Sequence, residues 1–210
     1  MRDPDSGLLR EVERYYTGRI EEHGASARGV DWSSDDSQKL RFRQLVRLWE
    51  GEQQEGEISV IDFGCGYGAL VDYLAEQGAP FRYQGFDISE AMIREAAPRA
   101  TAKRVFTTDR DRLERADYVV ASGVFNVKLA AERPAWEEYM RRTIDAMAAL
   151  ATRGFAFNAL TSYSDPERQR NDLHYADPAY WFDHCKRTHS RFVTLVHDYP
   201  LYEFTLLVRY

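Results

Sequence analysis

The chain has 210 residues, enough to bury the core of one domain. Its 44% hydrophobic and 30% charged residues form an ordinary globular mixture, no run approaches the roughly 18 apolar residues of a membrane span, and a net charge of −6 argues against a surface that wraps nucleic acid. Two cysteines far apart in sequence, Cys65 and Cys185, argue against a disulfide framework, and the opening MRDPDSGLLREVER lacks the apolar heart of a signal peptide, so a cytoplasmic protein is expected.

Residues 7–22 set Leu8, Leu9, Val12, Tyr15, Tyr16 and Ile20 near helical spacing, which predicts a first helix. The segment GASARGVDWSS breaks that pattern. A second helix is expected over 35–50, where Phe42, Leu45, Val46 and Trp49 fall at i, i+3, i+4 and i+7 and form a face that seeks a sheet. Strands and helices then alternate. A buried strand at 58–63 precedes a helix at 68–77 stopped by Gly78. A strand at 82–88 precedes a short helix at 89–97 ended by Pro98. Strands at 104–108 and 117–125 follow, then a long helix at 134–151 and a strand at 154–160.

A polar, tyrosine-containing segment at 161–180 leads into a short helix near 178–187. An excursion of that length in a compact domain is usually functional or mobile. The closing RFVTLVHDYPLYEFTLLVRY reads as two strands about a tight proline-containing turn. Alternating strands and helices with continuous apolar strands predict a parallel sheet covered on both faces. A final hairpin forces the last strand antiparallel. The expected fold is α/β: a doubly wound, seven-stranded sheet over 36–210, with residues 1–35 as a helical extension or lid. Arg41, Arg43 and Arg47, and likewise Arg110, Arg112 and Arg115, could gather into basic patches, but solvated charge-mixed surfaces are the expected reading. His184, Cys185 and His189 place three potential ligands in six residues without a fourth nearby, so no metal is expected.

The stretch VIDFGCGYGAL, residues 60–70, carries the chemistry. In a doubly wound sheet, ligands sit beyond the carboxyl ends of the strands. Gly64, Gly66 and Gly68 fall there, and without Cβ atoms they permit a sharp turn and close approach to a ligand. The pattern also satisfies the dinucleotide form G-x-G-x-x-G/A, so a nicotinamide-dependent oxidoreductase is an alternative. Asp62 opposes it, because a carboxylate two residues before the first glycine repels a diphosphate and favours a ligand carrying an ammonium and a sulfonium. Asp87, at the end of the second strand, can accept both ribose hydroxyls of either kind of cofactor. The terminal hairpin also leaves little room for a separate catalytic domain.

With VIDFGCGYG at 60–68, YQGFDIS at 83–89 followed by EAMI, DYVVASGVF at 117–125 and the closing hairpin, the chain resembles the class I S-adenosylmethionine-dependent methyltransferases. The likeness runs in order and spacing over about residues 36–210. It implies a Rossmann-like fold, S-adenosylmethionine as cofactor, and methyl transfer by in-line displacement. It further implies that the turn with Gly64, Cys65, Gly66 and Gly68 packs under the methionine part of the cofactor, faced by Asp62. Asp87 holds the ribose, and the adjoining Ile88 belongs to the cofactor site. Thr108, Asp109 and Arg110, in a less typical stretch, border the adenine. Ser122 and Gly123 lie near the transferred methyl. Cys65 and Tyr67 occupy variable positions, and their side chains receive no chemistry. A member that binds the cofactor without turnover is a further alternative.

Methyl transfer from a sulfonium needs alignment and water exclusion more than a base. A base is required only where the acceptor must lose a proton. Candidates at the acceptor end are Phe125, Asn126 and Lys128 after the fourth strand and Asn158, Thr161, Ser162 and Tyr163 after the fifth. The hairpin adds His197, Asp198, Tyr199 and Tyr202. His197 is the candidate base, since an imidazole titrates near neutrality. Tyr163, Tyr175, Tyr180 and Trp181 could wall an acceptor pocket. Trp32, Gln38 and Arg41 belong to the extension side, and Arg41 could pair with the cofactor carboxylate. The acidic charge and the SGVFN at the fourth-strand end, which lacks the DNA-methylating PPY-type pattern, favour a small-molecule or glycan/metabolite acceptor methylated on oxygen or nitrogen. No nucleic-acid or membrane partner is expected.

Overall fold

The structure is a computed structural model that describes residues 6–50, 56–78 and 80–210. Residues 1–5 of the expected extension lie outside the described residues. Helix α1 (Ser6–His23) leads through a 3-10 turn at Ala27–Val30 to α2 (Asp35–Val46). Then follow β1 (Ile58–Phe63), α3 (Ala69–Glu76), β2 (Phe81–Phe86), α4 (Glu90–Ala96) and β3 (Arg104–Thr107). The remainder is β4 (Ala116–Ala121), α5 (Arg133–Leu150), β5 (Ala151–Leu160), α6 (Pro178–Thr188), β6 (Phe192–Val196) and β7 (Glu203–Arg209).

The seven strands form one sheet in the order β3-β2-β1-β4-β5-β7-β6. Strands β1 to β5 pair in parallel. Strand β7 runs antiparallel to both β5 and β6, so β6 points with the others. The reversal of strand order beside β1 opens the crevice expected of a doubly wound sheet. Both faces are covered. Phe42, Leu45, Leu70 and Leu74 pack on one side with Val60, Tyr118 and Leu207. Trp136, Met140, Ile144 and Trp181 pack on the other with Ile61, Val119, Phe155 and Leu206. Alternate residues of each strand feed opposite cores, which is why the strands read as continuous apolar runs.

Several boundaries differ from expectation for local reasons. Helix α2 stops at Val46 rather than near 50, because the Arg209 guanidinium on β7 takes the carbonyl oxygens of Arg47 and Leu48. Strand β4 stops at Ala121 rather than Phe125. Gly123 adopts φ 76°, outside the extended region. Between β3 and β4 the chain makes only a 3-10 turn at Arg110–Arg112. The β6–β7 connection takes six residues, 197–202, instead of a tight turn.

Candidate active site

The end of β1 turns through Gly64, Gly66 and Gly68, all at positive φ (83°, 54° and 86°). The amides of Gly64 and Cys65 both donate to the Phe86 carbonyl, at 2.7 and 2.9 Å, and strap this turn to the end of β2. The next residue, Asp87, accepts from the Gly66 amide through one carboxylate oxygen and from the Ser89 amide through the other, each at 2.9 Å. Ser89 is also the N-cap of α4. One carboxylate thus joins the glycine turn to a helix start. At Gly64 a Cβ would stand 2.4 Å from Val124 Cγ2, so the turn has no room for a side chain.

Asp62 is buried, and the Tyr83 hydroxyl donates to it at 2.6 Å. Burial pushes its carboxyl up to about 7, against the Tyr83 hydrogen bond, with repulsion from Asp87 adding to the rise. Burial likewise raises Asp87 to about 6, opposed by the two backbone donors. Both carboxylates therefore lie where a cation or a hydrogen-bond donor would stabilise the ionised form.

The two acids face two lobes of one cleft. The larger lobe encloses about 630 Å³, part of it open to solvent, and is lined by Asp87, Ile88, Met92 and Tyr139. The smaller, of about 320 Å³, is lined by Asp62, Cys65, Gln38 and Tyr67. Val30, Trp32, Gly64, Gly66 and Ser122 line both lobes and mark the seam between them. Val12 and Tyr16 of α1 cover the larger lobe. Helix α1 is held there by Thr17 Oγ1 against Ser89 Oγ at 2.8 Å, and by Tyr15, whose hydroxyl donates to Asp31 at 2.8 Å. After β4, the Gly123 amide donates to Asn158 Oδ1 at 2.7 Å, and Gly123 lies against the Trp32 indole.

The structure gathers Asp62, Gly64, Cys65, Gly66, Asp87, Ile88, Ser122 and Gly123 around this cleft. Gly68 starts α3 instead, against Arg99 and Phe106. Thr108, Asp109 and Arg110 are exposed and line neither lobe. The Asp109 side chain caps the 3-10 turn through the Asp111 amide. Arg41 points away from the cleft, forked onto the buried Glu203. His197 is exposed at the end of β6, with its ring beside Tyr163 and Phe204, and lines neither lobe. Of the aromatics expected to wall an acceptor, Trp181 is buried in the core, Tyr163 and Tyr180 are exposed, and Tyr175 accepts from the Arg170 amide. Val30, Met92 and Tyr139 were not foreseen. They are apolar or aromatic residues on elements whose sequence pattern signals only packing.

Among the described residues, no group of three histidine, cysteine or acidic side chains is placed to hold a metal ion, and no helix is long and apolar enough to cross a membrane. His184 and His189 meet edge to face at 5.9 Å, and Cys185 is buried in the core.

A family described as "Methyltransferase domain" matches residues 20–196. A protein of Mycobacterium tuberculosis that carries a methyltransferase name is 50% identical over 155 residues, 72% of this chain and 92% of that protein. Among solved structures, magnesium protoporphyrin IX methyltransferase from Synechocystis PCC 6803 with bound SAH is similar at TM-score 0.69. Its identity is 16%, over 98% of this chain and 99% of that one. A DhpI complex with SAM and HEP is similar at TM-score 0.65 and 18% identity, over 100% of each chain. These two structural likenesses are likenesses of fold.

Proposed function

The chain belongs to the S-adenosylmethionine-dependent methyltransferases, and on that premise we propose that it methylates an oxygen or nitrogen atom of a small-molecule acceptor, with its cofactor spanning both lobes of the cleft. The observation that carries this reading is the pairing of lobes and acids. Asp62 stands in one lobe, Asp87 in the other, and a glycine seam lies between them. This pair of acceptors fits a ligand with an ammonium at one end and a ribose diol towards the other. When bound, S-adenosylmethionine supplies a methyl group on a sulfonium, already a good leaving group.

The residues of the chain then have separable tasks. Asp62 would hold the ammonium and Asp87 the ribose hydroxyls. Gly64 and Gly66 put no side chain of their own into the seam, beside Val30, Trp32 and Ser122. Val12, Tyr16, Val30 and Trp32 line the larger lobe, whose surface is largely apolar, and would limit water around a bound cofactor there. A cleft of this size with an apolar larger lobe supports a small acceptor rather than an extended polymer. Oxygen and nitrogen acceptors carry a lone pair, so alignment supplies much of the rate. Among the described residues no histidine lines either lobe, and burial holds the Cys65 thiol well above its ordinary range. His197 therefore enters the proposal only as a surface residue.

The test is calorimetric titration with S-adenosylmethionine, its demethylated product and NADH, followed by turnover against panels of small hydroxyl and amine acceptors with mass spectrometry of products. Binding of the two adenosyl ligands, no binding of NADH and methylation of a small acceptor are expected. Methylation confined to protein, nucleic-acid or carbon acceptors would overturn the acceptor assignment.

A further inference from the structure

The most expensive feature outside the two acids is a charge pair sealed inside the protein. The Arg41 side chain is 8% exposed and that of Glu203 is not exposed at all. Arg41 Nε lies 3.0 and 2.9 Å from the two carboxylate oxygens, and one terminal nitrogen donates to the Ser37 carbonyl at 2.8 Å. Burying such a pair contributes little net stability, because desolvation offsets the attraction. What the pair does supply is geometry. A guanidinium forked on a carboxylate is a rigid plane, and planes stack.

Trp32 stacks on that plane. Arg41 Cζ lies 3.7 Å from the centroid of the Trp32 ring. Trp32 lines both lobes, and the edge of its indole lies on Gly123 so closely that a Cβ there would stand 2.4 Å from Trp32 Cζ2. A continuous chain of contacts therefore runs from the first residue of β7, through α2, to the seam of the cleft. Arg41 and Glu203 within it are 162 residues apart in sequence.

We propose that the buried Arg41–Glu203 pair is a positioning device for Trp32, and that through Trp32 it sets the affinity of the cleft for the adenosyl cofactor. This rests on the reading that the cofactor spans both lobes. Arg41 and Glu203 touch no ligand and act only through the indole. A lysine at 41 would keep the charge but lose the fork and the stacking plane.

The experiment is a double-mutant cycle read two ways. Affinity for S-adenosylhomocysteine and melting temperature are measured for wild type, Arg41→Lys, Trp32→Ala and the double variant. Arg41→Lys is expected to weaken binding about tenfold, a typical coupling between contacting residues. In the Trp32→Ala background, Arg41→Lys should cost no further affinity, while still lowering the melting temperature. Trp32→Phe, which leaves the ion pair intact, should weaken binding several-fold with an unchanged melting temperature, and Glu203→Gln takes the place of Arg41→Lys in the cycle if that variant fails to fold. Unchanged affinity in Trp32→Phe, or equal losses from Arg41→Lys in both backgrounds, would overturn the device while leaving the cofactor reading intact. Failure of the wild type to bind overturns that reading and the device together.

Discussion

Asp87 does two jobs with one carboxylate. It accepts the Gly66 and Ser89 amides, which fixes the glycine turn against the start of α4, and it faces the larger lobe. Asp87→Ala removes the proposed ribose acceptor and leaves two amides without a partner, each worth about 1–3 kcal/mol if desolvated. A loss of cofactor affinity of about a hundredfold or more, with a lower melting temperature and a retained circular dichroism spectrum, is expected. Unchanged affinity would remove Asp87 from the site. The titration of the acids gives a second check. Asp87 is raised to about 6 and Asp62 to about 7, and an ammonium or a hydroxyl donor prefers both ionised. Affinity should therefore rise as pH increases from about 5.5 to 8, with protons released on binding. Calorimetry in buffers of different ionisation enthalpy measures that release, and a flat profile with no release would dissociate these acids from the ligand. The placement of Asp62 and Asp87 beside the glycine turn was legible in the sequence because each falls at the end of an apolar strand. The partnership of Arg41 with Glu203 was not, because nothing local in either segment points to the other. Arg41 read as a surface or cofactor-facing cation, and only the three-dimensional fold brings β7 beneath α2.

The loop that leaves β4 shows how an element boundary builds a site. Continuous apolar residues in DYVVASGVF suggest a strand to Phe125, yet Gly123 at φ 76° ends it early and turns the chain under Trp32. Asn158 on β5 fixes this turn by accepting the Gly123 amide and lying 3.4 Å from the Ser122 hydroxyl. Gly123→Ala combines a left-handed backbone with a Cβ 2.4 Å from the indole. The backbone alone costs on the order of 1 kcal/mol, and the indole must move. A small fall in melting temperature and a much larger fall in cofactor affinity are expected, measured by thermal denaturation and calorimetry on the same preparation. Loss of stability with full affinity would show that Trp32 can shift without consequence. After β3, where the resemblance implied adenine contacts at Thr108 and Asp109, the chain makes a short 3-10 turn and both residues face solvent. A four-residue strand followed by DRDRLER carries no periodicity from which that turn could be read.

At the scale of the molecule, the alternation of elements and the terminal hairpin were enough to place β7 antiparallel, because a hairpin permits no other pairing. Which acids and histidines would be buried was not readable, since burial is set by packing across the sheet. That burial gives the whole protein a pH response with two opposed parts. His174 is buried and held down to about 4. Its unfolded form binds a proton below about 6.5, so it contributes stability above that pH and loses it as pH falls towards 4. Asp62 runs the other way. Raised to about 7 from an unfolded value near 4, it is protonated in the fold where the unfolded chain has already released its proton. Its presence therefore favours the fold at low pH, and stability falls as pH rises from about 4 to 7. Asp62→Asn keeps an acceptor for the Tyr83 hydroxyl and removes the titration. The variant's melting temperature, relative to wild type without ligand, should climb from pH 4 to 7 and stay level above. Adding S-adenosylmethionine should reverse the order at pH 8, because the ionised carboxylate then has its cation. A constant difference between the two proteins across that pH range would mean that Asp62 titrates at an ordinary value, and that burial in the small lobe does not hold its proton.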